Sequence, residues 1–294
     1  MTNVIQNGVD AISLGSLYAL IALGIALIFG IMRLINFAHG ELITAGAYAA
    51  YVLSNPPWAL LIIVPVLVSA GFALAMERAA FRPVRGASPA TLLVTSFALS
   101  YFLQNLALLV FGAFPRGVPL PTLVTEQFFV GDLRIPKLNV ITLITTFVLL
   151  VGLVIFLKRT VLGIRMRAAA ENFRMARLLG VRADTVIASA FLISGLLAGA
   201  VSILFVSQLG TVNPTMGLAP VLVGLVATVI GGMGNLPAAV LGGYILGGLT
   251  VGLDAGLPEG LRVFRDAFVF GTVIFILLLR PQGLLGSRAA KVRV

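Results

Sequence analysis

The sequence predicts an all-α integral membrane protein: a polytopic bundle of about eight or nine transmembrane helices, some short or broken, with a weak internal pseudo-repeat. Three observations predict it. The 294 residues are 60% hydrophobic and only 10% charged, with a mean hydropathy of +1.11. A soluble domain averages about 45–50% apolar and about 25% charged residues, so this chain has too little polar surface to face water all round. Ala11 to Met32 carries no charge and reaches the roughly 20 residues that cross a bilayer. The basic residues also fall mainly in alternate loops, as they do when one side of a membrane collects them.

Cutting the chain at its charges gives the spans in order, because a central charge costs about 2.5–3.5 kcal/mol on insertion. The first starts near Gly8 and ends at Met32. Met1 to Gly8 lacks a basic stretch, so it reads as a retained helix and not a cleaved signal. Further spans follow at Leu42 to Leu53, Ala59 to Met76, Thr91 to Phe111, Val140 to Leu157 and Thr185 to Val206. Leu218 to Gly232, Pro237 to Leu253 and Phe264 to Leu279 complete a nine-span path. The second and seventh are short, which marks them as re-entrant or broken.

The whole chain, 1–294, reads as one transmembrane domain with two sizeable loops. The loop 112–139 carries Pro115, Pro119, Pro121 and Pro136, and its alternating stretch Phe128 to Ile135 suits a short hairpin. The loop 158–184 reads as helical. Nine spans place fifteen of the twenty basic residues on one side, with Arg116, Arg134, Lys137, Arg262 and Arg265 on the other. The rich side is then cytoplasmic, the N-terminus outside and the C-terminus inside. In a soluble protein a net +10 would suggest nucleic acid; here topology explains it, and no nucleic-acid partner is expected.

Several chemistries are excluded. There is no cysteine and a single histidine, His39, so thiolate catalysis and multi-histidine metal sites are out. The three lysines precede Leu138, Arg159 and Val292, so no phosphate-binding G-x-x-x-x-G-K-[ST] loop exists. No catalytic constellation is present, and no metal or cofactor is expected. His39 and Glu41 are two apart and do not face each other on a helix. The segmentation leaves no ionisable group at mid-membrane, so the energy source for any transport is expected elsewhere.

Ser96, Ser100 and Gln104 lie four apart and share one helical face. That face is a candidate lining for a polar path; the plainer alternative is hydrogen bonding within the bundle. Gly195-x-x-x-Gly199, Gly243-x-x-x-Gly247 and Gly248-x-x-x-Gly252 have the spacing of close helix contacts. Asn36 to Glu41 and Gly231 to Asn235 each break a helix at Gly and Asn ahead of a small-residue helix, containing Tyr48 and Tyr244 respectively. Interrupted segments at corresponding places point to a central site. The candidate path residues are therefore Asn36, His39, Glu41, Ser96, Ser100, Gln104 and Asn235.

Within 158–184, Leu162 to Gly180 has strong helix formers and a glycine stop. Arg167, Glu171 and Arg174 are spaced to share a face, where Glu171 can pair with either arginine. At this point the chain resembles the permease subunits of bacterial branched-chain amino-acid ABC transporters. The resemblance rests on Gly15 to Leu20, Asn36 to Glu41, Arg167 to Glu171 through Leu178 to Gly180, Gly231 to Asn235, and Arg280 to Leu284. It covers nearly the whole chain.

The resemblance implies a subunit in the bacterial cytoplasmic membrane, surrounded by lipid, that is not itself an enzyme. A second, homologous permease, two cytoplasmic ATPases that use ATP, and a periplasmic substrate-binding protein would be its partners. It also implies that Arg167, Glu171, Arg174, Leu178 and Gly180 form the ATPase-coupling element, although the alanines precede Glu171, unlike the E-A-A-x-x-x-G order of many ABC permeases. Similar permeases serve urea and short amides, and a self-sufficient channel is the alternative from another class.

Overall fold

The computed structural model describes residues 2–53, 57–118, 126–130, 133–281 and 283–285. Pro119, Pro121, Asp132, Gln282, Arg288, Lys291 and Arg293 lie outside the described residues. Among the described residues there are eleven α-helices, and six of them, two with slightly different limits, are long and apolar enough to cross a membrane. Those six are α1 (Thr2–Met32), α3 (Trp58–Met76), α4 (Pro89–Phe111), α5 (Lys137–Arg159), α8 (Ala183–Leu209) and α10 (Leu236–Gly256). Three shorter helices, α2 (His39–Val52), the apolar α9 (Leu218–Gly231) and α11 (Arg265–Leu279), complete the nine predicted segments. Helix α1 begins six residues before the predicted Gly8, because Gln6 and Asp10 are held at its start. Gln6 donates to the Arg134 carbonyl at 2.9 Å, and Asn139 donates to Asp10 at 3.3 Å.

Helix α1 is the axis of the bundle, with Leu17, Leu20, Ile21, Leu23 and Ile28 all fully buried. Its partner along most of its length is α10, and glycine makes that seam possible. A Cβ at Gly243 would meet the Ala19 backbone, and one at Gly247 the Gly15 backbone. Tyr244 closes the seam with its hydroxyl 3.1 Å from Ser16 Oγ. The second predicted glycine pair, Gly195 and Gly199, lets α8 lie against Ala70 and Val66 of α3. Gly248 and Gly252 face open space instead, so the third pair makes no internal contact.

The charges sort to two ends. At one end, antiparallel β1 (Arg116–Gly117) and β4 (Thr211–Val212) tie the end of α4 to the end of α8. The predicted hairpin forms there too, with β2 (Gln127–Val130) paired to β3 (Leu133–Pro136) against the start of α1. At the basic end, Arg82 and Arg85 from the α3–α4 connection hold Asp184 at 2.8 and 2.5 Å. Arg82 and Asp184 are both more than half exposed, where ion pairs contribute about 0–1 kcal/mol. Asp184→Asn is therefore expected to leave the thermal midpoint of the purified subunit in detergent close to that of the wild type.

The predicted single helix from Leu162 to Gly180 is two helices, α6 (Val161–Glu171) and α7 (Phe173–Leu178). Asn172 makes the break: it leaves the helical region at φ −149° and caps α7 by accepting the Met175 N–H at 3.0 Å. Glu171 and Arg174 therefore do not share a helical face, and Glu171 forms no ion pair among the described residues, which corrects the expected pairing. Gly180, at φ +84°, ends the unit as expected of a helix stop.

Candidate translocation site

Helices α2 and α9 have 14 residues each, about 21 Å at 1.5 Å per residue. Neither reaches across the roughly 30 Å hydrocarbon core as helix alone. Each is completed by irregular chain that enters the bundle from the end where the preceding helix stops. From Arg33 at the basic end, 33–38 runs inward to α2; from β4 at the other end, 213–217 runs inward to α9. The two N-termini meet backbone to backbone at Gly40 and Gly217, where neither position has room for a Cβ. Irregular backbone at such depth is tolerated because protein encloses it.

The inward segment is secured by the polar face predicted on α4. Ser96 Oγ accepts the Phe37 N–H at 3.3 Å, and Phe97 stacks on Phe37 with ring centroids 3.9 Å apart. Ser100 Oγ and Gln104 Nε2 both donate to Glu41 Oε1, at 2.9 and 2.8 Å. Asn36 closes its own turn by accepting the Ala38 N–H at 3.1 Å. On the opposite side of the segment, His39 Nδ1 lies 3.2 Å from Ser194 Oγ of α8, and that hydroxyl donates to the Gly24 carbonyl at 3.0 Å. With the serine hydrogen so placed, His39 Nδ1 is the donor. His39 and Glu41 thus have separate partners, as their spacing implied.

Six of the seven candidate path residues, Asn36, His39, Glu41, Ser96, Ser100 and Gln104, come together here. Asn235 does not. It caps α10 at the basic end, accepting the Ala238 N–H at 3.3 Å, and lines a cavity of about 630 Å³ with Gly30, Arg33, Arg167 and Pro281. The segments 36–41 and 231–235 are thus unlike in depth: the first dives into the bundle, the second turns at its end. The structural counterpart of 36–41 is 213–217, which also precedes a half-length helix inside the bundle. Ser194 and Gly217 carried no sequence signal, since isolated serines and glycines are common in membrane helices.

One expectation fails at Glu41. The segmentation starts the second span at Leu42 and so leaves Glu41 outside it, yet Glu41 is 4% exposed and level with Ser100, which lies halfway along α4. The bundle therefore holds an ionisable group at depth. It has no basic partner among the described residues.

The resemblance motifs also find structural reasons. Gly15 to Leu20 is the α1 half of the α10 seam. At the terminal motif, Leu284 and the next residue, Leu285, donate to the Ile230 and Gly231 carbonyls at 2.7 and 3.0 Å, capping the end of α9.

Comparison with known proteins agrees with this architecture. Residues 8–278 match the family described as the permease component of branched-chain amino acid transport systems. The high-affinity branched-chain amino acid transport system permease protein BraD of Pseudomonas aeruginosa is 33% identical, over 96% of this chain and 95% of its own. LivH of Escherichia coli K12, a permease protein of the same description, is also 33% identical over 96% of this chain and 95% of its own. LivH of Methanocaldococcus jannaschii, described as a probable permease of this kind, is 28% identical over 94% of this chain and 90% of its own. No solved structure gives a significant match. With a match across nearly its whole length and a multi-pass helical bundle to accompany it, the chain belongs to the branched-chain amino acid transport permease family.

Proposed function

We propose that the chain is the membrane-spanning permease subunit of an ATP-driven importer that carries branched-chain or other hydrophobic amino acids across a bacterial cytoplasmic membrane. The observation that carries this reading is the 33% identity over 96% of the chain to permeases of that description. The basic end faces the cytoplasm and the N-terminus lies outside. A second permease, two ATPases and an external binding protein complete the machine, with ATP consumed by the ATPases.

Helices α6 and α7 and the turn that follows them form the ATPase-coupling element, with Arg167, Glu171, Arg174 and Leu178 on the helices and Gly180 in the turn. The geometry gives them a route inward. Arg167 Nε donates to the Leu157 carbonyl of α5 at 2.9 Å, and Met166 and Arg167 wall the cavity that also touches α1 and the α9–α10 turn. A tilt of α6 imposed by an ATPase would reshape that cavity and bear on α1. The structure then shifts between two populations, as alternating access requires.

The test is reconstitution of the subunit with its genomic neighbours in liposomes. ATP-dependent leucine uptake that needs both ATPase and binding protein is expected. Uptake by this subunit alone without ATP would establish a facilitator instead. In the complete transporter, Glu171→Lys is expected to lower uptake at least tenfold while membrane insertion is unchanged, because it reverses the one negative charge on the coupling element; uptake at the wild-type level would remove Glu171 from that role.

A further inference from the structure

Glu41 forms part of the wall of a groove of about 430 Å³ between α2, α3 and α4, lined among others by Thr44, Tyr48, Val68, Leu103 and Ala107. The volume falls within the roughly 300–1,000 Å³ of small-molecule sites. Apart from the carboxylate the wall is almost wholly apolar. Both hydrogen bonds from Ser100 and Gln104 go to Glu41 Oε1, so Oε2 has no donor among the described residues. Two turns further along α2, the Tyr48 hydroxyl is buried with no hydrogen-bond partner either.

We propose that this groove binds the transported amino acid, with Glu41 receiving the substrate's ammonium group and the apolar walls its aliphatic side chain. The inference rests on the importer reading above and names the site and the contact within it. A carboxylate in an apolar setting is costly unless a cation or further donors complete its shell. Oε1 is already satisfied by neutral donors, which fix the carboxylate's orientation without neutralising it. A primary ammonium brings both missing elements, charge and N–H donors, and its branched hydrocarbon suits Val68, Leu103 and Ala107. A lipid acyl chain would fill the apolar volume and leave Oε2 without a partner. A helix from the second permease is the remaining occupant that the test must distinguish.

Binding of tritiated leucine is measured on the complete purified transporter without its binding protein. Glu41→Gln keeps the size of the side chain and an acceptor for Ser100 and is expected to weaken binding at least tenfold. Glu41→Asp is expected to lie between that variant and the wild type. 4-Methylpentanoate, which has the same branched chain but no ammonium, is expected not to compete. Val68→Phe narrows the groove from the α3 side, away from the carboxylate, and is expected to abolish binding; it decides the matter if Glu41→Gln fails to assemble. Wild-type affinity in an assembled Glu41→Gln or Val68→Phe transporter overturns the proposal, as does competition by 4-methylpentanoate equal to that of unlabelled leucine. A wild-type complex that imports leucine with its binding protein but shows no leucine binding here also overturns it, leaving the groove to lipid or the second permease. Failure of the wild type to import any hydrophobic amino acid overturns the underlying reading instead.

Discussion

Replacing Gly217 by leucine is expected to prevent the subunit from reaching its folded state. At this position the first atom of any side chain would collide with the Gly40 carbonyl group and come within 2.6 Å of Thr44 Oγ1. Backbone cannot swing aside as a flexible side chain can. Overpacking a well-filled site typically costs about 1–3 kcal/mol and occasionally more; here the clash is backbone against backbone at the junction of two half-length helices, so about 3 kcal/mol or more is expected. Moving the helices apart would also expose the irregular segments 33–38 and 213–217, whose polar groups have no water to turn to in a bilayer. The measurement is the yield of monodisperse subunit and its thermal midpoint in detergent. Gly248→Leu supplies the control, since nothing lies within 4 Å of a Cβ there, and wild-type behaviour is expected of it. A Gly217→Leu subunit as stable as that control would show that the junction has slack.

The long helices were legible because the bilayer requires length and apolarity, and both are properties of composition that a sequence displays directly. The hairpin at 127–136 was legible for a similar reason, since alternation is a local pattern. Depth was not legible. Asn36 to Glu41 reads as a polar break following a span, and nothing local distinguishes a break at the bundle's end from one that runs back inside. What decides it is the pairing of Phe37 with Ser96 and Phe97 of α4 and of Glu41 with Ser100 and Gln104 of α4, contacts between residues some sixty positions apart. The face itself was visible as Ser96, Ser100 and Gln104; its partner was not. The same limit explains the weak repeat. Residues 231–235 resemble 36–41 in composition, whereas 213–217 matches it in placement, because the chain runs the opposite way through the bundle and order along the sequence does not preserve depth. In the coupling element the error was of another kind. Helix propensity favours continuity from Leu162 to Leu178, yet one asparagine capping α7 outweighs it, and so Glu171 and Arg174 part company.

Changing Leu178 and Leu179 together to glutamate is expected to abolish ATP-driven uptake while leaving the bundle intact. These leucines are 76% and 82% exposed at the tip of the α6–α7 unit, beside Arg177 and Arg182, with Met175 half exposed in the same turn. Apolar side chains so exposed on the basic side, outside the spans, contribute nothing to the fold of this subunit, so their removal costs it little. In a docked complex they would be covered. Burying a leucine stabilises by about 1.5–3 kcal/mol, so losing two and introducing two charges removes about 3 kcal/mol or more, roughly 100-fold or more in affinity for the ATPase. The expected result is a correctly inserted subunit, unchanged in thermal midpoint, that no longer copurifies with the ATPases and no longer imports. Leu261→Glu makes a comparable change at the opposite end, where the leucine is 42% exposed, and is expected to retain ATPase binding in full. The contrast between the two ends carries the inference. If both variants copurified with the ATPases equally, the α6–α7 tip would not be the docking surface, and the cavity walled by Met166 and Arg167 would need another source of motion.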